Sequence, residues 1–516
     1  MKIVNKIKKN FYTEKIYIFL IFFFTILMRL PYFSGHISGD EDTYIILGNW
    51  ISKGGLPEVG LSDGKPATPF FIYAAIISIF GKSIIFFRLV ASVFVSLASI
   101  LIYLISKNYY SKNSAFISAI FYSFLASYII GNDVLQAFFT DHIAVFLILL
   151  SFYFLNKPSD KYKNFLIFGF LIGLSAQTRP NLIIVAIFSI FIPFFINKNK
   201  KKIIEIFLII LGGIISILPI FIIYSNNNHL TELYNSSIVA PMDYAKDPVS
   251  NSRLITFLKF IFNGLNLNLF YQKDFLSIIK VIISIYFFII SLIGFLLKFK
   301  NTNFINHLKN KKFFLLNYFL IFIFLSLVLA NKDYPHHLIQ ISPFVIIYFI
   351  WFHEKYFSKN YNYFVTIVIT IFCITLILNR CITISKHYLK TKDFNTGTCY
   401  IVKNYLDKIN YNKNHNFYAF DCLILYVLYD KFPLDGLANP YYFSKNSYRH
   451  NILDSNLEKV FSEKTDYVIT NTKYPLERII NKYTNWSQEK KFDFNLKYTL
   501  IKKIEYILIY KKIITN

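Results

Sequence analysis

The sequence predicts a polytopic α-helical membrane protein with about eleven transmembrane helices and a small C-terminal α/β domain. Three observations carry that expectation. Of 516 residues, 55% are hydrophobic and 16% charged, and the mean hydropathy is positive, a balance too apolar for a soluble multidomain chain. Apolar runs matching a hydrocarbon core of about 30 Å recur up to residue 385. Lysines collect in alternate short loops between those runs, which is how orientation in a bilayer is encoded.

Taken in order, the expected spans lie near residues 15–31, 84–106, 114–131, 142–156, 164–178, 181–197, 203–224, 276–298, 313–330, 338–354 and 361–381. The opening "MKIVNKIKKNFYTEK" before "IYIFLIFFFTILM" has the outline of a signal peptide. No small-residue cleavage site follows, so the first helix is expected to stay. Lys2, Lys6, Lys8 and Lys9 share a side with Lys107, Lys157, Lys198, Lys200, Lys201, Lys309 and Lys359, whereas the loops holding Asp40 to Asp63 and Asp133 are acidic or mixed. The lysine-rich side, and with it the N-terminus, is expected in the cytoplasm, and an odd number of spans then puts the C-terminus outside the cytoplasmic (inner) membrane.

Two outer segments are long. Within residues 33–83, "TYIILGNWISKGG" has helical spacing and is expected to start near Thr43, capped by Ser38 or Asp40, and to lie in the membrane interface. "TPFFIYAAIISIFG", residues 68–81, is too short to span. Residues 225–275 form the second outer segment. From residue 385 the apolar runs stop: "NFYAFD", "TDYVIT" and "YILIYKK" read as strands, and "CYIVKNYLDKI" and "NLEKVFSEK" as helices. The expected division is therefore 1–384, transmembrane, and 385–516, extracytoplasmic α/β.

The formal net charge of +26 would suggest nucleic acid in a soluble domain. Its placement in loops between spans excludes that partner, and the abundance of Ile, Asn and Lys over Ala and Gly has the look of AT-rich coding. Four cysteines match no zinc pattern. Cys399 and Cys422 could pair in an oxidising compartment, but unpaired buried thiols are the expected state.

The stretch "SGDEDTYIILGNW" places Asp40, Glu41 and Asp42 where the first span ends. Adjacent carboxylates at a membrane face cost several kcal/mol unless they are solvated or matched by a cation. A solvated helix cap is the plain reading. Cations on the same face shift it: Lys65, Arg88, Arg179, His336 and His337 come from distant parts of the chain to one membrane level. Arg88 and Arg179 adjoin apolar runs and need an anionic partner, and such a set suits a lipid phosphate. Asp141 in "FFTDHIAVFLILL" is either an ordinary cap or a second carboxylate sharing a divalent metal ion, or a sugar pocket, with Asp40.

"GDEDTY", "DGKPATPFFIYAAIISIFG", "FRLVASV", "FTDHIAVFL", "GFLIGLSAQTRPNLII" and "HHLIQISPF", in this order, resemble the GT-C superfamily of membrane glycosyltransferases that use polyprenyl-phosphate-linked sugars. The resemblance is to the branch of aminoarabinose transferases and protein O-mannosyltransferases, and it covers essentially the whole chain. It implies that Asp40, first of the acidic pair with Glu41, is the base that activates the acceptor. It likewise implies that Tyr44 and Lys65 lie around the lipid phosphate, that Asp141 is the second outer carboxylate, and that the sugar carbon is inverted. "KPAT" departs from the usual second Pro, and Arg179 stands where many relatives have Lys.

The expected reaction passes through an oxocarbenium-like transition state, with a carboxylate taking the acceptor proton and cations stabilising the departing phosphate. The expected partners are a polyprenyl-phosphate sugar, a lipid, glycan or protein acceptor and membrane lipids. Two rivals stand beside it. A transporter or flippase of lipid-linked glycans would show repeats and midplane ionisable groups. A polysaccharide polymerase or ligase would show an Arg-rich outer loop, and residues 225–275 contain only Arg253.

Overall fold

Among the described residues, five of the expected spans are helices long and apolar enough to cross a membrane in the computed structural model: Thr13–Tyr32, Ile84–Ser106, Lys202–Asn226, Phe275–Lys298 and Lys311–Ala330. The structure describes residues 2–35, 38–130, 132–157, 161–196, 202–246, 253–265, 267, 275–300, 310–332, 334–357, 359–391, 397–409, 411, 415–434, 436–439, 457, 465–483, 487–489, 491 and 496–513. Apart from Leu457, the helix expected in "NLEKVFSEK" lies outside the described residues, as do the lysines at 198, 200, 201 and 309 and the side chain of Asp133. Spans expected at 142–156 and 164–178 lie in the helices Thr140–Asn156 and Lys161–Thr178, while 181–197 contains two short helices, Ile183–Ser189 and Ile192–Ile196.

Contacts divide the chain into two compact units, one made of Met1–Phe33, Arg88–Ile223 and Pro248–Thr383, the other of Ser34–Phe87, Tyr224–Asp247 and Ile384–Asn516. In the first unit, helices meet through small residues and hydroxyls. A Cβ on Gly169 would lie 2.1 Å from the Ile209 carbonyl oxygen, and one on Gly212 2.3 Å from that of Leu166, so these two backbones touch. Thr25, Ser123 and Ser99 form a buried hydroxyl ladder with steps of 2.7 Å. Ile203, Phe207, Ile214 and Phe221 remain exposed along Lys202–Asn226, a face that only a bilayer would tolerate at this length.

In the second unit, after the two short strands β1 (Leu56–Pro57) and β2 (Gly60–Leu61), a four-stranded sheet has the order β3-β4-β6-β5, where β3 is Phe417–Ala419, β4 Tyr467–Asn471, β5 Tyr498–Ile504 and β6 Ile507–Lys512. The β3 and β4 strands are parallel, and β4–β6 and β6–β5 are antiparallel. The edge strand β5 was absent from the sequence expectation because its pattern is mostly exposed and carries Lys502 and Lys503. Leu476, Ile479 and Ile480, on one face of Leu476–Tyr483, pack with Tyr418 and Val468.

Two expectations are corrected here. The helix foreseen from Thr43 begins at Gly39, with the Ser38 hydroxyl accepting from the Asp40 amide at 3.3 Å, so all three acids occupy its first turn. Cys399 and Cys422 are bonded to each other rather than unpaired, their Cα atoms 5.2 Å apart. Cys422 adopts a positive φ of 57° in the turn after β3, which brings a residue 23 positions away against the helix Thr398–Lys408.

Candidate functional site

The helix Gly39–Ser52 presents its three carboxylates to the positive end of its own dipole, which suits them electrostatically. Their surroundings then separate them. Asp40 keeps 40% of its side chain exposed, whereas Glu41 and Asp42 are fully buried. Asp42 Oδ2 accepts the Ile424 backbone N–H at 3.0 Å, capping the short helix Ile424–Leu428. A triplet that reads as uniform in sequence is thus one accessible carboxylate and two enclosed ones.

Lys65 is the cation of this cluster. Its Nζ lies 3.1 Å from Asp63 Oδ2, 3.7 Å from Asp40 Oδ1 and 3.4 Å from the Tyr44 hydroxyl, 4.7 Å above the Tyr44 ring. Tyr44 is held in turn by Phe70 and Tyr73, ring centroids 5.8 and 5.4 Å away. The loop before Lys65 is shaped by Glu58, itself at a positive φ of 65°, whose carboxylate accepts from the Ser62 hydroxyl and from the Asp63 and Gly64 amides at 3.0 and 2.5 Å. Ser62 pairs through its backbone with Gly436 and Ala438, at 2.7 and 2.8 Å. Gly436 has no alternative there, since a Cβ would meet the Gly60 carbonyl oxygen at 2.5 Å.

Asp63 and Glu58 were not among the sequence-expected site residues. The Asp63-Gly64 turn dipeptide two positions before Lys65 is the only local signal of Asp63. Burial pushes the Asp63 carboxyl up to about 6, against the pull of Lys65 and with the help of the Asp40 and Glu58 charges. The native state therefore binds this proton more tightly than the unfolded chain, so the stability contributed by Asp63 increases as pH falls from above 6 toward 4. The melting temperature of the wild type is expected to rise relative to that of Asp63→Asn as pH is lowered from 7 to 4. A relative fall would show that Lys65, rather than burial, governs the group.

A second cluster belongs to the other unit. Asp141, in the first turn of Thr140–Asn156, is fully buried. Its Oδ2 accepts from Arg179 Nη2, and its Oδ1 from Gln340 Nε2 at 2.8 Å. Asn181 supports Gln340 from the other side at 2.9 Å. The half-buried His336 and His337 complete the group in the 3-10 turn Pro335–Gln340, and their ligand atoms and an Asp141 oxygen all lie within 4.8 Å of one another. Burial, reinforced by His336 and Arg179, pulls His337 well below its ordinary value, so its imidazole is neutral at physiological pH.

The structure thus brings together Asp40, Tyr44 and Lys65 in one unit and Asp141, Arg179, His336 and His337 in the other. Arg88 is fully buried and donates from Nη1 to the Tyr32 carbonyl at 2.7 Å. Arg29, which the sequence reading did not single out, is also fully buried, donating to Ser92 at 3.1 Å and to the carbonyls of Leu135 and Gln136 at 2.8 and 3.1 Å. Both arginines tie the end of the first span to its neighbours.

A family model for dolichyl-phosphate-mannose-protein mannosyltransferases matches residues 64–224. No curated protein matches the chain. Among solved structures, the chain is similar to ArnT from Cupriavidus metallidurans, both apo and bound to undecaprenyl phosphate, each with a TM-score of 0.59 over 98% of both chains at 9% identity. It is also similar to the oligosaccharyltransferase of Archaeoglobus fulgidus tethered to an acceptor peptide, with a TM-score of 0.51 over 95% of this chain and 72% of that one, at 12% identity.

Proposed function

We propose that this chain, whose fold is that of the GT-C glycosyltransferases, transfers a sugar from a polyprenyl-phosphate donor to a hydroxyl of a lipid, glycan or protein acceptor. The observation that carries this reading is the Lys65 ammonium held between Asp40 and Asp63 over Tyr44. It sets one accessible carboxylate beside a fixed cation, the pair needed to remove an acceptor proton and to meet a departing phosphate. Asp40 is the base. Glu41, fully buried, supports the same turn. Lys65 and Tyr44 serve the donor phosphate, and Arg88 fastens the end of the first span.

The membrane arrangement follows the sequence: about eleven spans in the cytoplasmic membrane, the N-terminus inside, and residues 385–516 forming the outer domain. The Cys399–Cys422 disulfide supports an oxidising compartment for that last segment. Purified protein incubated with a panel of radiolabelled polyprenyl-phosphate sugars and membrane extract is expected to move one label onto an acceptor. If every labelled donor is left intact while labelled lipid crosses a vesicle bilayer, the transporter reading replaces this one.

A further inference from the structure

We propose that the stretch formed by residues 421–434 and 436–438 is a splint that sets the separation of Asp40 and Lys65, and that Asp42, which fastens it to the acidic turn, is a positioning residue. The splint and the residues it touches all belong to one unit of the fold. That it serves sugar transfer rests on the reading above; that it fixes the two residues does not.

The ion pair is too open to fix its own geometry. Asp40 and Lys65 meet at 3.7 Å with 40% and 20% of their side chains exposed, and a pair so accessible to water contributes little by itself. The firmer contacts lie one step behind it. Along the helix Gly39–Ser52, Asp42 accepts the Ile424 amide at 3.0 Å near the first turn, while Asn49 and Lys53 donate to Asp430 at 3.5 and 2.9 Å at the far end. Between these points the Trp50 ring meets the Phe432 ring edge-on at 5.2 Å. In the loop before Lys65, the Ser62 amide donates to the Gly436 carbonyl at 2.7 Å and the Ser62 carbonyl accepts from the Ala438 amide at 2.8 Å. One stretch of chain therefore holds both the helix of the acid and the loop of the cation.

The splint is itself anchored where it begins. Asp421 accepts from the Cys422 amide at 2.8 Å and from Asn471, the last residue of β4, at 2.6 Å. The Tyr426 hydroxyl accepts the Ala419 amide at 3.0 Å, closing the turn after β3. Cys422, held at positive φ, is bonded to Cys399, and both are buried. The crosslink lies two residues before the amide that Asp42 accepts, so the stiffness of the sheet and of the helix Thr398–Lys408 reaches the acidic turn through Ile424. Displacing a reacting group by about 1 Å costs on the order of 10² in rate, so a loose splint lowers kcat before it lowers donor affinity.

The test reads hydrogen exchange and transfer side by side on the full-length protein in detergent. Cys399→Ala with Cys422→Ala is expected to raise amide exchange at least about threefold in the peptides covering residues 39–44 and 60–65, whereas a disulfide of local importance would loosen only its own surroundings. Asp42→Leu, close in volume, is expected to loosen residues 39–44 in the same way. Its kcat is expected to fall roughly ten- to a hundredfold with the donor KM near that of the wild type. Asp42→Asn keeps an oxygen for the Ile424 amide and is expected to recover most of that rate. Because the cysteine and Asp42→Leu changes act through one route, their combination is expected to cost less than the product of the separate losses. Wild-type exchange at residues 39–44 in the cysteine variant, fully multiplicative losses, or an Asp42→Asn as slow as Asp42→Leu would overturn the splint. Where Asp42→Leu fails to fold, exchange in the cysteine variant decides alone. A wild type that consumes no donor, with the exchange coupling present, would leave the splint standing and remove the transferase reading.

Discussion

Asp40→Asn is expected to abolish transfer, with a loss on the order of 10²–10⁴ in kcat, while donor affinity stays near that of the wild type. The amide keeps the volume and the N-terminal turn but cannot accept the acceptor proton. Asp40 is the member of the triplet with 40% of its side chain exposed, and its backbone N–H remains capped by Ser38. Fold should therefore be indifferent to the change. The measurement is single-turnover transfer beside equilibrium binding of the donor lipid. A wild-type rate in this variant would remove Asp40 as the base and leave the fully buried Glu41 needing a conformational opening to act.

Lys65→Met is expected to reduce kcat/KM by roughly 10²–10³, the scale for removing one preorganised charge stabiliser. The change has a second consequence that can be separated from the first. Asp63 loses its partner at 3.1 Å while fully buried, and breaking a buried pair on one side costs about 3–5 kcal/mol when the remaining charge stays. Because burial already raises Asp63 to about 6, the variant should take up a proton there and recover part of its stability in mild acid. Combining Lys65→Met with Asp63→Asn should restore the melting temperature without restoring activity. A double variant that regains both would show that Lys65 acts only as a structural counter-ion.

What was legible in the sequence is local chemistry. The acid triplet, Lys65 and Asp141 could be singled out because each sits where an apolar run begins or ends, and a charge at such a place demands a reason. Three of the four strands announced themselves by apolar residues. The edge strand β5 did not, because its side chains are mostly exposed. Relations between distant segments were hidden. Nothing near Asp42 reveals that it serves residue 424, and nothing near Glu58 reveals a carboxylate folded back onto the amides of its own loop. The cysteine expectation failed for the same reason: a pairing 23 residues apart depends on a tight turn with positive φ that neither composition nor spacing specifies.

The hydrogen bond from the Ile424 amide to Asp42 joins partners 382 residues apart. At translation speeds of about 5–20 residues per second, the first of these is made roughly 20–80 s before the second. Throughout that interval the acidic turn must wait at the membrane without its final fastening. Activity is therefore a property that arrives late in the life of each newly made chain, and a ribosome that stalls short of residue 424 releases a product whose charged turn never sets.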